Sequence, residues 1–574
     1  MTTPTIVPSL PLSKQSGKRQ KLLRRAIPFR SPPGTYYETI SPPRDGLTYN
    51  GDRGPNGEWL TIIDPSSDVT GGWNRVTGAW VAENLNLWQK HFDYQPGIFI
   101  HDGKCIECVG QDLMVPPKPP FEPPLGFPPN FHLGAAGVSL AGLALLGLAA
   151  PTIVNRGPYG GNGNFWDGPY ALAAYEPKSG MTYIRFADNN INPNHSSLRA
   201  APGGIAAPGG IETPWTYGVV ITGVSYTTIS NLAIQGAYAG IGINTDKNNY
   251  GGNNNTVTHC HVQHGLHRIY MQANPSLTAL NDNEISFNTF RLNMYGYESP
   301  GAYPIEKPKP PANPDHDLAL KEWFYIFLKY IVGSKNTADI AIQMQYCGKN
   351  NRIHHNICEK GAEGVFTLLC DNTQIYSNTF QHMSDCGVLA SDFVQEVYQS
   401  IPSGETVFGN CFEDVHQFMR YDRIDVADGV TTNFHYFLNN AGENDANLGT
   451  IVQFHMQYSG DPTPAPPSPP TTVGKFALRM TGNKFGVTGA VFHFSAYTTK
   501  RGGIPAGAIA DNSFLSPTTI EWGGNDVDFQ NFITIPSMVG SFVNNKLVDD
   551  MKYLPPGGAT PLSPAWYGPG NIII

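Results

Sequence analysis

Charge is scarce in this chain: 14% of its 574 residues are Asp, Glu, Lys or Arg, and the formal net charge is −9. Nucleic acid is thereby excluded as the principal partner, because phosphate binding needs a concentrated basic surface. Cysteine is scarce too. Eight are too few for a disulfide framework at this length, and the redox compartment stays open. Cys105 and Cys108 form a lone CxxC with no further ligand pair nearby, and His259, His261, His264 and His267 read as surface or satisfied core groups, so neither a metal nor another cofactor is expected. No apolar core follows Met1, so the chain reads as lacking a conventional secretory signal peptide.

Long apolar runs are also rare. Residues 133–154, "LGAAGVSLAGLALLGLAAPTIV", form the uncharged stretch long enough to cross a bilayer. The run is rich in Gly and Ala and has no flanking belt of Trp or basic residues, so a buried or capping helix and an apolar loop compete with a membrane span.

What the chain has instead is punctuation. Its 62 Gly and 49 Pro, with many Asn and Thr, describe short strands separated by turns. Residues 1–35 hold Lys14, Lys18, Arg19, Lys21, Arg24, Arg25 and Arg30 without an acidic residue and read as a disordered basic tail, either solvated or facing an anionic partner.

One phrase recurs: an apolar residue, two others, an Asn, one more, then an apolar residue. It appears as "ISFNTF" (Asn288), "IHHNIC" (Asn356), "IYSNTF" (Asn378), "VFGNCF" (Asn410), "MTGNKF" (Asn483), "IADNSF" (Asn512) and "FVNNKL" (Asn545). "VTHCHV" fits with Cys260 in the Asn place, and "ISNLAI" from Ile229 fits one residue out of register. Spacings of 22, 32 and 29 residues, for Asn356 to Asn378, Asn378 to Asn410 and Asn483 to Asn512, suit stacked coils with loops of unequal length. The apolar residues point inward, where the next coil covers them. The Asn is expected at a tight corner, tolerating the left-handed conformation and bonding the equivalent Asn above and below.

A second phrase follows each turn, as in "AGIGINTD", "HRIYMQAN", "DIAIQMQY" and "CGVLASD", and reads as a further strand. Ile241 with Ile243, Ile269 with Met271 and Ile340 with Ile342 alternate toward the core.

On these residues the chain resembles the right-handed parallel β-helix proteins of the pectate-lyase-like superfamily, over roughly residues 181–550. The resemblance implies an all-β solenoid with an Asn ladder. It also implies a carbohydrate-active protein that binds an extended polysaccharide on one outer strand ladder and cleaves it by hydrolysis or elimination, or else a non-catalytic adhesive or structural protein such as a virion tailspike-like or surface-layer component. An extracellular or virion-associated location and a homo-oligomer are compatible with either. The Asp pair, Gly-His-Gly and Arg-x-Lys pattern of the pectin-hydrolysing members is absent, as is an acidic set for a calcium-assisted lyase.

The expected organisation is the basic tail, a β-rich segment over 36–114, a Pro-rich connector and apolar capping segment over 115–180, the solenoid over 181–550 and a tail over 551–574. Within the solenoid, residues 315–332 break the strand pattern with a helical stripe of Leu320, Trp323, Phe324, Phe327 and Ile331.

Alternation in the second phrase sets Arg268, Tyr270, Gln272, Gln343 and Gln345 outward as substrate-binding candidates. Glycoside hydrolysis needs two carboxyls about 5–9.5 Å apart. Equivalent Asp on coils about 4.8 Å apart would supply them. Asp371, Asp392 and Asp422 follow successive runs and are the catalytic candidates, with Arg420 beside them; an elimination would draw on Arg268, His267 or Arg420.

Overall fold

The computed structural model describes residues 28–76, 79–83, 98–109, 132–133, 138–139, 172–176, 181–186, 190–201, 216–265, 267–273, 279–292, 340–393, 404–425, 433–443, 450–456, 475–486, 490–496, 504–510, 513–514, 519–524, 541–547, 552–554, 560–561 and 570–573. The helical stripe over 315–332, Asn512, the Pro-rich connector and most of the apolar run lie outside them. Among the described residues no helix is long and apolar enough to cross a membrane.

Three-residue strands such as Thr256–Thr258, Glu284–Ser286, Arg352–His354, Gln374–Tyr376 and Thr406–Phe408 pair in parallel within a 12-stranded sheet. Each has one apolar residue at its centre. Val257, Ile285, Ile353, Ile375 and Val407 are register partners and are buried to within 1%. A single layer has nothing to cover such a residue, and stacking it between neighbours stabilises by roughly 1.5–3 kcal/mol per side chain.

After a two-residue turn the chain enters a second short parallel ladder, including His261–Gln263 and Thr289–Arg291, and then a longer one including Ala239–Asn244, His267–Gln272 and Ile340–Gln345. The strands Ile357–Leu368, Thr379–Phe393 and Cys411–Asp425 run through both ladders, with register shifts at the bend. Along the long ladder Ile241, Ile269, Ile342, Val365, Val388 and Met419 form one buried row. Ile269 and Met271 thus align with Ile342 and Met344, while Ile340 pairs with His267.

The turn shows what the Asn does. Asn356 Nδ2 donates to Asn378 Oδ1 at 3.0 Å, Asn378 Nδ2 to Asn410 Oδ1 at 3.1 Å and Asn410 Nδ2 to Asn440 Oδ1 at 3.0 Å. Each amide also donates to a backbone carbonyl one strand back, as Asn378 Nδ2 does to Ile353 O at 2.9 Å. The left-handed residue is the one before it: His259, Phe287, His355 and Ser377 have φ of 53–57°, and Gly409 and Gly482 take the same place. The expectation of a left-handed ladder Asn is corrected accordingly. The inward position has to bury its side chain among backbone groups, and the positive φ falls on the neighbour that faces solvent. "ISNLAI" is out of register for the same reason, with Asn231 in the left-handed place at φ 56° and buried Leu232 in the ladder place.

The solenoid begins earlier than residue 181. Pro28–Ser31 pairs in parallel with Thr48–Gly51, and Thr48 with Thr228; Thr61–Ile63 joins Ala233–Ile234. Residues 28–64 therefore build the first coils, including part of the stretch read as a basic tail. An eight-stranded, mostly antiparallel sheet of strands between Ser67–Asp68 and Leu198–Ala201 is inserted before the coils resume at Tyr217–Thr222. Its own core holds Trp73, Phe99, Ile106, Ile184, Phe186 and Leu198.

Candidate functional site

The outer face of the long ladder divides in two. At the first coils the inserted sheet lies on it: Ile98, Ile100 and Ala201 pack with Tyr217, Tyr238, Ala239 and Tyr270. Tyr270 is buried, and its hydroxyl donates to Gln345 Oε1 at 3.3 Å. Arg268 is fully buried; its Nε donates to Arg291 O at 3.0 Å and its Nη1 to Gly265 O at 2.7 Å. Both side chains are built into the fold here, where a polymer has no access.

Farther along, one register row runs Gln272, Gln345, Leu368, Ser391, Asp422, His455, and its neighbour runs Tyr270, Gln343, Phe366, Leu389, Arg420, Gln453. Arg420 and Asp422 are thus two places apart on one strand, next to Gln453 and His455 on the following coil. The three aspartates are not equivalent. Asp422 is opposite Ser391, so Asp392 falls one place out of the row, and Asp371 lies three residues past Leu368 in the turn. Asp371 is buried, with Lys349 Nζ 3.7 Å from its Oδ2. Gln343 and Arg420 are buried as well.

The more exposed polar row is on the middle ladder. Gln235 and Gln263 are followed, in register, by Arg291, Glu359, Gln381, Glu413 and Glu443. The row is laced laterally. Gln263 Nε2 donates to Gln235 Oε1 at 2.8 Å, Gln381 Nε2 donates to Glu413 Oε2 at 2.6 Å, and Arg291 Nε lies 4.0 Å from Glu359 Oε1. Glu413 and Glu443 are direct register partners, which spaces their backbones by about 4.8 Å. Lys360, His382 and Asp414 form the adjoining corner row, Lys360 and His382 with positive φ.

Sequence reasoning passed over this row because it sought outward residues in the longer strands. A signal was present: Gln263, Arg291, Glu359, Gln381 and Glu413 each stand three places after the ladder position. Asn440, which completes the ladder and sets Glu443 at the same offset, was hidden in "FLNNAG".

Beside the row, electrostatics keep the histidines neutral. Burial, then the Arg268 charge, lowers His264 to about 4 and His267 to about 3, and burial lowers His261. Burial pushes the Cys260 thiol up to about 12, so it sits in the ladder as an inert apolar group. Among the described residues no group of three or more His, Cys, Asp or Glu is placed to hold a metal ion.

No protein-family model matches the chain, and no curated protein matches it in sequence. Among solved structures, XylC in complex with xylose aligns at 11% identity and TM-score 0.36, covering 95% of this chain and 80% of that one. A glycoside hydrolase aligns at 8% identity and TM-score 0.37, covering 95% and 88%. Likenesses this loose carry neither substrate nor site residues across. By its own sheet order, parallel register and stacked ladders, the chain is a parallel β-helix protein.

Proposed function

We propose that this is a carbohydrate-active β-helix protein that binds an extended neutral polysaccharide along the row from Gln263 to Glu443 and hydrolyses it, with Glu413 and Glu443 as the paired carboxyls. The observation that carries the reading is the direct register of Glu413 with Glu443, within a polar row that steps once per coil. Amide, guanidinium and carboxylate groups at such steps offer donors and acceptors in alternation to sugar hydroxyls. One cation, Arg291, stands against three carboxylates, Glu359, Glu413 and Glu443, so a polyuronate would be repelled. Without a uronate carboxyl, elimination has no acidified proton to remove, which favours hydrolysis.

The second reading is non-catalytic adhesion, favoured by the Gln381–Glu413 bond, which ties one carboxylate into the lattice of the row. Arg420 and Asp422, with Gln453 and His455 beside them, form a separate proposed centre; Asp371 and Asp392 fall outside its row.

The test is incubation with xylan, mannan, arabinan, glucan and polygalacturonate, following reducing ends and the ultraviolet absorbance of unsaturated uronides together. Reducing ends from a neutral polymer, lost in Glu413→Gln and kept in Asp422→Asn, support the pair. The opposite pattern moves the chemistry to Asp422. Binding without product supports adhesion, and a lyase signal from polygalacturonate overturns the choice of a neutral substrate.

A further inference from the structure

The row has a stop at one end. Gln263 bonds Gln235, and Gln235 Nε2 donates to Asp64 Oδ2 at 3.1 Å. Asp64 is buried and accepts from Ser66, whose hydroxyl in turn accepts from Arg199 Nε at 2.8 Å. Arg199 belongs to the inserted sheet, in the strand Leu198–Ala201. A second contact closes the adjoining corner: His264 Nε2 lies 3.0 Å from Gly103 O, at the tip of the hairpin joining Ile98–His101 to Lys104–Val109. The same sheet covers the long ladder at Tyr217, Ala239 and Tyr270, so it meets the solenoid on two faces of the same coils. Toward the other end the register passes from Glu443 to Gly486, which has no side chain to stand in the way.

Among the described residues, a chain lying along this row passes from Glu443 to Gly486 without meeting a side chain at that register place, but meets protein at Gln235. Resting on the polysaccharide reading, we propose that the inserted sheet makes the protein a chain-end binder: it takes the terminus of a neutral polysaccharide, with the end sugar against the Asp64, Arg199 and Gly103 side of the row. Internal segments of a long polymer are excluded, because one of their two flanking arms would run into the sheet. Hydrolysis at Glu413, three coils beyond Arg291, then releases short products from the end and leaves the rest of the chain long.

The experiment uses the intact protein and the polysaccharide from the panel above that binds it. Two size fractions of that polymer, at equal mass, are titrated for bound protein at saturation. End binding gives capacities in proportion to the number of chain ends, and short oligosaccharides of the same polymer compete mole for mole of ends. Equal capacity per mass in both fractions overturns the end-binding proposal and leaves the polysaccharide reading standing. Absence of binding to every polymer overturns the polysaccharide reading itself. With an active substrate, viscosity independently checks the mode: reducing ends that rise while viscosity holds agree with end attack, and an early collapse of viscosity overturns it.

Discussion

Inside the solenoid, His435 Nδ1 lies 2.6 Å from Glu405 Oε2, both side chains shut off from solvent. Thr367 Oγ1 donates to the other carboxylate oxygen at 2.8 Å, and the ring of Tyr421 stands edge-on to His435 at 5.5 Å. Glu405 and His435 each stand five residues before a ladder Asn, a place held on earlier coils by Thr227, Asn255, Asn283, Asn351 and Thr373, all buried. Asn283 N and Nδ2 both donate to Asn351 Oδ1, so this is a second amide ladder that ends in an ionisable pair. Removing one partner leaves the other's buried polar atoms without their contact, and Glu405→Gln or His435→Asn alone is expected to cost about 1–3 kcal/mol. The double variant Glu405→Asn with His435→Asn extends the neutral ladder and should recover most of that loss. A denaturant double-mutant cycle reads the coupling, and additive losses would refute it.

The main ladder predicts a contrast between two Asn six residues apart. Asn378→Ala removes donors to Asn410 and Ile353 and an acceptor for Asn356, all buried, at an expected cost of about 3 kcal/mol. Asn372, whose amide reaches Asn350 at the surface and whose φ is 51°, should cost only about 1 kcal/mol as Ala, mostly for the left-handed backbone. Urea midpoints measured side by side decide this, and similar shifts for the two would contradict the ladder's weight.

Gly409 isolates the backbone term. Its φ is 62°, and an added Cβ would meet only Ser377 Oγ at 3.9 Å, so there is room for the side chain but not for its preferred conformation. Gly409→Ala is expected to destabilise by about 1 kcal/mol. An unchanged melting midpoint would show that this corner relaxes.

Acid should loosen the junction at His264 and His267. Unfolded histidines take up protons as the pH falls through about 6.5, whereas these two stay neutral in the fold until about 4 and about 3. Below pH 6.5 the unfolded state therefore binds more protons, and stability drops by about 1.4 kcal/mol per pH unit for each histidine. Urea unfolding at pH 7, 6 and 5 should show this slope, and His267→Gln should reduce it. A slope indifferent to both histidines would place the acid sensitivity elsewhere.

Stereochemistry tests which carboxyls act. Partners on adjacent coils fit the separation of about 5 Å used with retention, while Glu359 and Glu413, with Gln381 between them, fit the wider one of about 6.5–9.5 Å used with inversion. Retention of anomeric configuration, followed by proton resonance on first-formed product, is expected for Glu413 with Glu443. Inversion would move the pair to Glu359 and Glu413.

What the sequence determined by itself is local and periodic. Ile285, Ile353 and Ile375 with their following Asn announce the coil, because every layer must meet the same burial and hydrogen-bonding demands. The same grammar carried the offsets of the polar row and of the second ladder, legible once a reader counts from the Asn. The tertiary structure decided what depends on distance in the chain. Ile63 joins Ile234 across an inserted sheet, a pairing set by backbone edges that no local pattern encodes. It also decided access: Arg268 and Tyr270 alternate as surface residues should, yet burial by the turn at Gly265 and by Ile98 and Ile100 removes them from solvent. Register did the rest: an offset of one place sets Asp422 opposite Ser391 rather than Asp392, which sequence spacing had stacked with it, while Glu413 and Glu443 fall in direct register.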